Sequence, residues 1–324
     1  MNMRAIRIAA TGAADVLVER PAPVPEPGRG DVLIRLESIG VNFIDIYHRT
    51  GVYRVPMPFT PGQEGAGVVE SVGADVTQVS PGDRVAWAMQ MGSYAEYAVV
   101  AAWKAVRLPV GISMDIAAAT MLQGMTAHYL THDTFPLGPG HVALVQAAAG
   151  ATGQLILQIG KLCGARMIAS VGSPEKAEIA RSAGADAVII YQEADWPQQV
   201  KKLSGGAGVD VVYDSVGEAT VQGSMASLRP RGYLALFGQA SGVVAPMDPA
   251  ALANGGSLFL TRPTLAHYAT TAAEIERRTR ELFGWYERGQ LRIPIDRVFP
   301  LSAAASAHRH LESRQAKGKI LLHP

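Results

Sequence analysis

The apolar positions of this chain fall into two textures. Up to residue 120 or so they form short runs, DVLIRLESIGV, GAGVVESVG, GDRVAWAM and SYAEYAVV, cut by turn-rich stretches such as PAPVPEPGRGD and TPGQ. Short β-type runs between Pro/Gly turns predict a small, mostly antiparallel barrel or sandwich. From residue 125 or so to 262, runs that are apolar on both faces alternate with helical stretches. The predicted strands are HVALVQAA (141–148), RMIASVG (166–172), AVII (187–190), VDVVYDSV (209–216), GYLALFG (232–238) and SLFLTRP (257–263). The predicted helices between them are TGQLILQIGKLC, SPEKAEIARSAG, DWPQQVKKLSGG and ATVQGSMASLR. Strands apolar on both faces and joined by helices imply a parallel sheet covered on both sides, an α/β arrangement of the doubly wound kind. Beyond it, TTAAEIERRTRELFGWYERG reads as an amphipathic helix, and GKILLHP as a strand that returns to the first domain. The domains expected are 1–122, completed by 268–324, and 123–267.

Composition narrows the class. With 324 residues, 48% of them apolar and 18% charged, the chain has the profile of two globular domains and not of a disordered segment. A formal net charge of +1 and the lack of a basic run argue against a nucleic-acid partner. Arg4 and Arg7 interrupt the apolar start, so a signal peptide is not expected, and no run approaches the length of a membrane span. The single cysteine, Cys163, excludes an intrachain disulfide and a multi-cysteine metal cage; within QLILQIGKLCGA it reads as a buried structural thiol. A reducing, cytoplasmic location is the expectation.

The stretch VQAAAGATGQLILQ (145–158) carries the first chemistry. A pyrophosphate at a helix N-terminus needs backbone N–H groups pointing at it and small residues where the chain comes close. Here a strand runs into Ala148-Ala149-Gly150-Ala151-Thr152-Gly153 and an apolar helix follows. The usual first glycine is missing, with Ala147 or Ala148 at the tight turn. Alone, the stretch also suits an alanine-rich buried helix; the strands downstream favour the dinucleotide turn. An NAD site places a carboxylate at the end of the second strand, about 20 residues on. That end reads IASVGSPEKAE, with Gly172 and Ser173 where the acid would stand. If Ser173 caps the helix and Pro174 is its first residue, Lys176 sits in a first turn that disfavours a cation unless an anion is present. A 2′-phosphate between Ser173 and Lys176 supplies that anion, so NADPH is the expected cofactor.

With these residues in hand, the chain resembles the zinc-independent quinone oxidoreductases of the medium-chain dehydrogenase/reductase superfamily, the zeta-crystallin-like group. The resemblance runs nearly end to end, through VNFIDIYHRTGVY (41–53), PGQEGAGVVESVG (61–73), AAAGATG, VGSPEKA (171–177), VVYDSVG (211–217), LFGQASG (236–242), TRPTL (261–265) and LESRQAKGKI (311–320). It implies a GroES-like, mostly β barrel domain built from both chain ends, with a Rossmann domain inserted. It also implies hydride transfer from NADPH to quinones. The zinc enzymes of the superfamily bring a cysteine and the histidine of Gly-His-Glu as ligands; the matching positions here hold Asn42 and Gln63, so no metal site is expected. HRH at 308–310 reads as surface.

The residues that the resemblance and the chemistry jointly indicate as catalytic are Asn42, Asp45, Tyr47 and Tyr53, with Gln63 and Arg262 lining the substrate site. Asn42 would also meet the nicotinamide end of the cofactor. The resemblance further assigns Thr126 and Tyr129 to the nicotinamide, and Gly150, Ala151, Thr152 and Gly153 to the pyrophosphate. Gly172, Ser173, Lys176 and Tyr191 fall to the adenosine side, Ser215, Val216, Phe237, Gly238, Gln239 and Ser241 to the nicotinamide ribose side, and Arg314 to the adenosine phosphate. Thr152 stands where an apolar residue is usual, and is expected to cap the helix. Without a metal the acceptor must take hydride readily, which a quinone does because aromatisation drives its reduction; an activated alkene, an enal or enone, is the alternative. A non-enzymatic NADPH-binding protein, structural or RNA-binding, is the third reading, disfavoured by the near-zero charge and by the Asn42/Tyr47/Tyr53 set. The apolar sixth strand, SLFLTRP, would leave an unpaired sheet edge, so a homodimer is expected.

Overall fold

The structure is a computed structural model and describes residues 1–191 and 195–324. The chain divides into two compact units. The first comprises Met1–Met125, Ala269–Gly289 and Ile293–Pro324, and the second Thr126–Tyr268 with Gln290–Arg292.

The chain begins with β1 (Asn2–Arg7) and β2 (Val18–Pro23), which pair antiparallel. Then come β3 (Asp31–Val41), α1 (Phe43–Thr50), β4 (Glu64–Val72), β5 (Arg84–Ala88), β6 (Tyr97–Ala101), β7 (Val106–Arg107) and α2 (Met114–Tyr129). β3 shows how the pattern works. Arg35 and Glu37 face water while Ile34 and Leu36 are buried, and from Ser38 to Val41 the strand is buried on both faces. That change from alternation to continuous burial marks where the strand passes into the interior that holds α1.

The second unit contains β8 (Val142–Val145), α3 (Ala151–Leu162), β9 (Arg166–Val171), α4 (Pro174–Ser182), β10 (Ala187–Ile190), α5 (Trp196–Leu203), β11 (Val209–Asp214), α6 (Val221–Ala226), β12 (Leu228–Leu236), α7 (Ala250–Asn254) and β13 (Phe259–Thr261). The sheet order is β10-β9-β8-β11-β12-β13, with every pair parallel. Its core is built on Leu144, Ile168, Val212 and Leu234, all fully buried, as a sheet covered on both faces requires. Strand ends differ from the sequence expectation for local reasons. β8 stops at Val145, well short of residue 148, because Ala147 turns to φ 50° and leaves the extended region. β13 keeps only three residues, following Ser257 at φ 60° and ending two residues short of Pro263. β12 starts earlier, at Leu228, with a register shift against β11.

The chain ends with α8 (Ala272–Glu287), β14 (Ile295–Pro300), α9 (Ala304–Glu312) and β15 (Lys319–His323). β15 runs parallel to β14 and antiparallel to β3, in the sheet β14-β15-β3-β4-β5-β7, with β6 also on β3. Trp87, Ile34, Ile39 and Ile320 form part of the core beneath it. Because Ile320 faces Val41 in the register, Lys319 arrives opposite Asn42 at the start of α1. Among the described residues no helix is long and apolar enough to cross a membrane.

Candidate functional site

In the second unit the sheet order reverses between β8 and β11, where open α/β sheets bind ligands beyond their strand ends. The loop after β8 settles which alanine makes the tight turn. Ala147 takes φ 50°, the left-handed region that usually falls to glycine. Its carbonyl accepts a hydrogen bond from Gly150 N at 2.9 Å. Gly150, extended at φ −74° and ψ 165°, is the cap of α3, so Thr152 is the second residue of the helix and not the cap. The cap position falls to a residue with no side chain, which leaves the N–H groups of the first turn without a side-chain acceptor. A Cβ on Gly153 would stand 2.6 Å from Ala147 O and 2.7 Å from Ala148 Cα, both backbone atoms. A Cβ on Gly150 would meet only Ala147 O, at 3.3 Å. Gly153 is therefore fixed by close helix–strand approach, while Gly150 is tolerant sterically.

At the end of β9, Ser173 caps α4: its Oγ accepts from Lys176 N at 3.3 Å, and Pro174 is the first helical residue. Gly172 lacks a side chain where Tyr191 crosses it; a Cβ there would lie 2.9 Å from Tyr191 Oη. At the end of β11, Asp214 is fully buried, and its Oδ1 accepts from Val216 N at 2.8 Å and Gly217 N at 3.1 Å. The hydroxyls of Thr220 and Ser224 donate to its Oδ2 at 2.8 and 2.7 Å. The next loop closes on this one, with Ser241 N and Oγ donating to Val216 O at 2.8 and 2.7 Å, and Ala240 N to Ser215 O at 3.1 Å. Gly238 passes Ser215 so closely that a Cβ would stand 2.5 Å from its carbonyl oxygen. Ser215, Val216, Phe237, Gly238, Gln239 and Ser241 thus form one ledge, held by a carboxylate the sequence reading did not single out. The available signal was an acid closing an apolar strand.

Arg262 donates to Leu236 O at 3.0 Å, tying β13 to the end of β12 just before that ledge. Tyr129 is buried and stacks on Tyr268 with ring centroids 4.3 Å apart; Thr126, three residues earlier on α2, is also buried. Cys163 is the C-cap of α3 and only half-buried, with Sγ 3.9 Å from His132 Nε2, so it is not a core thiol. The helix ends one residue before it, which lifts it out of the apolar face.

In the first unit, Asn42 is the extended cap of α1 (φ −137°, ψ 157°) and Gly51 ends the helix at φ 82°. Asp45 Oδ2 accepts from Asn42 N at 2.9 Å. The buried face of α1 carries Asp45, Ile46, His48 and Arg49, and the opposite face carries half-buried Phe43 and Tyr47. Tyr53 N donates to Tyr47 O at 3.0 Å, and the two rings meet edge-on at 5.3 Å; Tyr53 is 37% exposed. The structure therefore brings Tyr47 and Tyr53 together and places Asp45 behind them, fully buried.

Asn42 is itself locked. Its Nδ2 donates to Glu64 Oε1 at 2.7 Å, and its Oδ1 accepts from Lys319 Nζ at 2.8 Å and from Gln123 Nε2 at 3.4 Å. Lys319 is ion-paired to Glu64, with side-chain exposures of 1% and 0%. Glu64 Oε2 accepts from Leu122 N at 2.6 Å, so both oxygens of this carboxylate are hydrogen-bonded. Gly40 makes room for it, since a Cβ there would collide with the Glu64 carboxyl group. Gln63, almost buried, precedes Glu64 at the head of β4, following Gly62 at φ 97°. Arg314, in this same unit, lies exposed beyond α9 at φ 59°.

His308 corrects the surface reading of HRH. It is fully buried on α9, because the helix packs on β15 and turns this residue inward; only Arg309 of the three is exposed. His310 is half-buried and hydrogen-bonded to Asp296 at 2.7 Å. His308 Nδ1 lies 3.2 Å from Arg49 Nη1, and its Nε2 lies 3.0 Å from Tyr94 Oη, which in turn lies 3.2 Å from Asp45 Oδ2. Arg49 also pairs with Glu312. Burial first, and then the Arg49 charge, push His308 down to about 3, so its ring is neutral. Burial pushes Asp45 up to about 7, with Glu64 adding to the rise and Asn42 N, Lys319 and Tyr94 opposing it. Burial raises the Tyr94 phenol and lowers His48.

Residues 28–110 match the Alcohol dehydrogenase GroES-like domain family, and residues 183–322 the Zinc-binding dehydrogenase family. The chain is 44% identical to the quinone oxidoreductase of Pseudomonas aeruginosa, over 98% of its own length and 99% of the relative's. It is 40% identical to a 2-haloacrylate reductase of Burkholderia sp, over 97% and 96% of the two chains. Its fold superimposes on the crystal structure of Escherichia coli quinone oxidoreductase complexed with NADPH with a TM-score of 0.97, at 38% identity, covering 99% of this chain and 100% of that one.

Proposed function

The chain belongs to the quinone oxidoreductases of the medium-chain dehydrogenase/reductase superfamily, and we propose that it is an NADPH-dependent quinone reductase that works without a metal ion. The observation that carries this reading is the dinucleotide turn at the sheet's switch point, in a chain similar throughout to quinone oxidoreductases, one of them solved with NADPH. NADPH, when bound, supplies the hydride. The uncapped first turn of α3, with Gly150, Ala151, Thr152 and Gly153, suits its pyrophosphate. Ser173 and Lys176 suit the 2′-phosphate, and Gly172 with Tyr191 the adenosine. The ledge from Ser215 to Ser241, with Thr126 and Tyr129, serves the nicotinamide side. Replacing Lys176 with Ala should cut the preference for NADPH over NADH by about tenfold, the worth of one charge-assisted hydrogen bond; unchanged selectivity would reject the assignment.

A zinc ion needs about three ligands drawn from Cys, His and carboxylate groups. Around Asn42 the donors are amides, and Glu64 already holds the Lys319 ammonium. That set does not fit zinc. Catalysis then falls to positioning and to hydrogen bonds at the oxygen that becomes negative. Tyr47 and Tyr53, paired beside α1, are the donors we assign to a flat acceptor, with Gln63 of the same unit shaping its surroundings. Asp45 is too deeply buried to touch an acceptor, and acts by holding α1.

Reduction of activated C=C bonds is the second reading, favoured by the identity to the 2-haloacrylate reductase. Anaerobic oxidation of NADPH, followed side by side with 1,4-benzoquinone, 9,10-phenanthrenequinone and an alkenal, separates the two. Turnover with the alkenal alone would promote the second reading, and NADPH binding without turnover would leave a cofactor-binding protein. We assign the protein to the cytoplasm, a placement that its lone half-buried thiol suits. We also propose a homodimer through β13, the last strand in its sheet, whose Phe259 and Leu260 are 49% and 38% exposed. Sedimentation as a monomer at micromolar concentration would reject it.

A further inference from the structure

A buried chain of polar groups lies behind α1 in the first unit and takes no direct part in the reduction. Its direction follows from donor chemistry. A guanidinium can only donate, so His308 Nδ1 must accept from Arg49 at 3.2 Å. The neutral ring then carries its proton on Nε2 and donates to Tyr94 Oη at 3.0 Å. The phenol in turn donates to Asp45 Oδ2 at 3.2 Å. Every hydrogen bond therefore points from Arg49 toward Asp45, and Oδ2 receives a second one from Asn42 N. Among the described residues nothing hydrogen-bonds the buried Asp45 Oδ1, so it is the seat of a proton when the group is neutral. Both attached residues lie on the buried face of α1, Asp45 in its first turn and Arg49 in its last, so His308 and Tyr94 fasten the helix at two points.

We propose that His308 is a positioning residue for the reduction, acting through Tyr94 to hold the Asp45 carboxylate in its ionised state and so to fix α1, whose opposite face carries Tyr47, paired with Tyr53 just beyond the helix. The inference rests on the quinone-reductase reading for its consequence in turnover, but not for the relay itself. Ionised Asp45 caps Asn42 N with a charge-assisted bond at the positive end of the helix; protonation weakens that bond and loosens the turn. The groups that face Asp45 are Tyr94 from the segment after β5, Glu64 from β4 and Lys319 from β15. Tyr94 and Lys319 favour its charge and Glu64 opposes it, while Arg49 touches the far end of the chain, at His308. Tyr94→Phe removes one of the two donors to Oδ2 while keeping the ring that packs edge-on against His308 at 5.7 Å.

The test is made on the whole chain in two ways. Infrared difference spectra against pH, without cofactor, follow the protonated carboxyl band that Asp45→Asn abolishes. The acid limb of kcat/KM for 1,4-benzoquinone is measured in parallel. Loss of a hydrogen bond to the charged form should move both midpoints up by about one pH unit in Tyr94→Phe, and His308→Leu, which takes away the donor to Tyr94 Oη, should move them in the same direction. An infrared midpoint that stays in place in folded Tyr94→Phe and His308→Leu proteins would overturn the relay. A midpoint that moves in a protein that reduces no quinone would uphold the relay and reject the substrate reading instead.

Discussion

The buried pair of Lys319 and Glu64 offers the sharpest test of the site's energetics. Lys319→Met keeps the length and apolar stem of the side chain but removes the ammonium. It leaves a carboxylate at 0% exposure whose remaining donors are Asn42 Nδ2 at 2.7 Å and Leu122 N at 2.6 Å. Those two neutral donors cannot replace a cation, so the loss should approach the cost of breaking a buried ion pair, about 3–5 kcal/mol. Glu64→Gln has its own penalty, because its amide must turn an NH2 group toward Asn42, Leu122 or Lys319, which all donate. In the double variant the stranded charges disappear together, and the total should fall short of the sum by about 2 kcal/mol or more. Urea denaturation of the four proteins at neutral pH measures this coupling. A coupling under about 0.5 kcal/mol, the range of an exposed pair, would show that the two groups are not desolvated together and refute the reasoning. Gly40→Ala should give a similar loss with both charges intact, since its methyl group would sit on the Glu64 carboxyl group.

Gly153→Ala should destabilise the protein by about 1–3 kcal/mol and weaken NADPH binding, because only backbone lies in the way, whereas Gly150→Ala should melt close to wild type. Thermal melts and cofactor fluorescence titrations decide between them, and equal behaviour would remove the steric argument. Asp45, raised from 3.8 to about 7, keeps a proton in the folded state that the unfolded chain releases between those values, so its contribution to stability falls as pH rises through that window. His308, lowered from 6.5 to about 3, acts oppositely, with its contribution lost as pH falls. The two largely cancel in the wild type over their shared range, so Asp45→Asn should show stability rising with pH there, measured by denaturation from acid to neutral pH. Asp214→Ala strips the four groups bonded to this carboxylate, and should raise the KM for NADPH more than it lowers kcat; the reverse split would detach Asp214 from cofactor binding.

Much of the second unit is legible in the sequence because its signals are local. Continuous apolar runs and a glycine-rich turn are set by neighbours within about ten residues, and Ser173 with Pro174 spells its own helix start. Thr152 misleads for the same reason. A threonine near a helix start looks like a cap, but where the cap falls depends on how Ala147 turns, and that follows from the approach of α3 to β8. His308 also misleads. In sequence it sits between a run of small residues and Arg309, and only the packing of α9 on β15 turns it inward.

By itself the sequence determined the two textures, the order of strands and helices, the dinucleotide turn, the absence of a carboxylate after β9, and the motif that places Tyr47 and Tyr53 close together. Those features depend on side-chain periodicity and on backbone preferences that act over one or two turns of chain. Only the tertiary structure decided that Lys319 meets Glu64 and Asn42, or that Arg49, His308, Tyr94 and Asp45 form a single directed chain. The reason is that charges and hydrogen-bonding groups act through distance and desolvation. Neither exists along a sequence: 255 positions separate Glu64 from Lys319, and antiparallel pairing of β15 with β3 brings them together in a place without water.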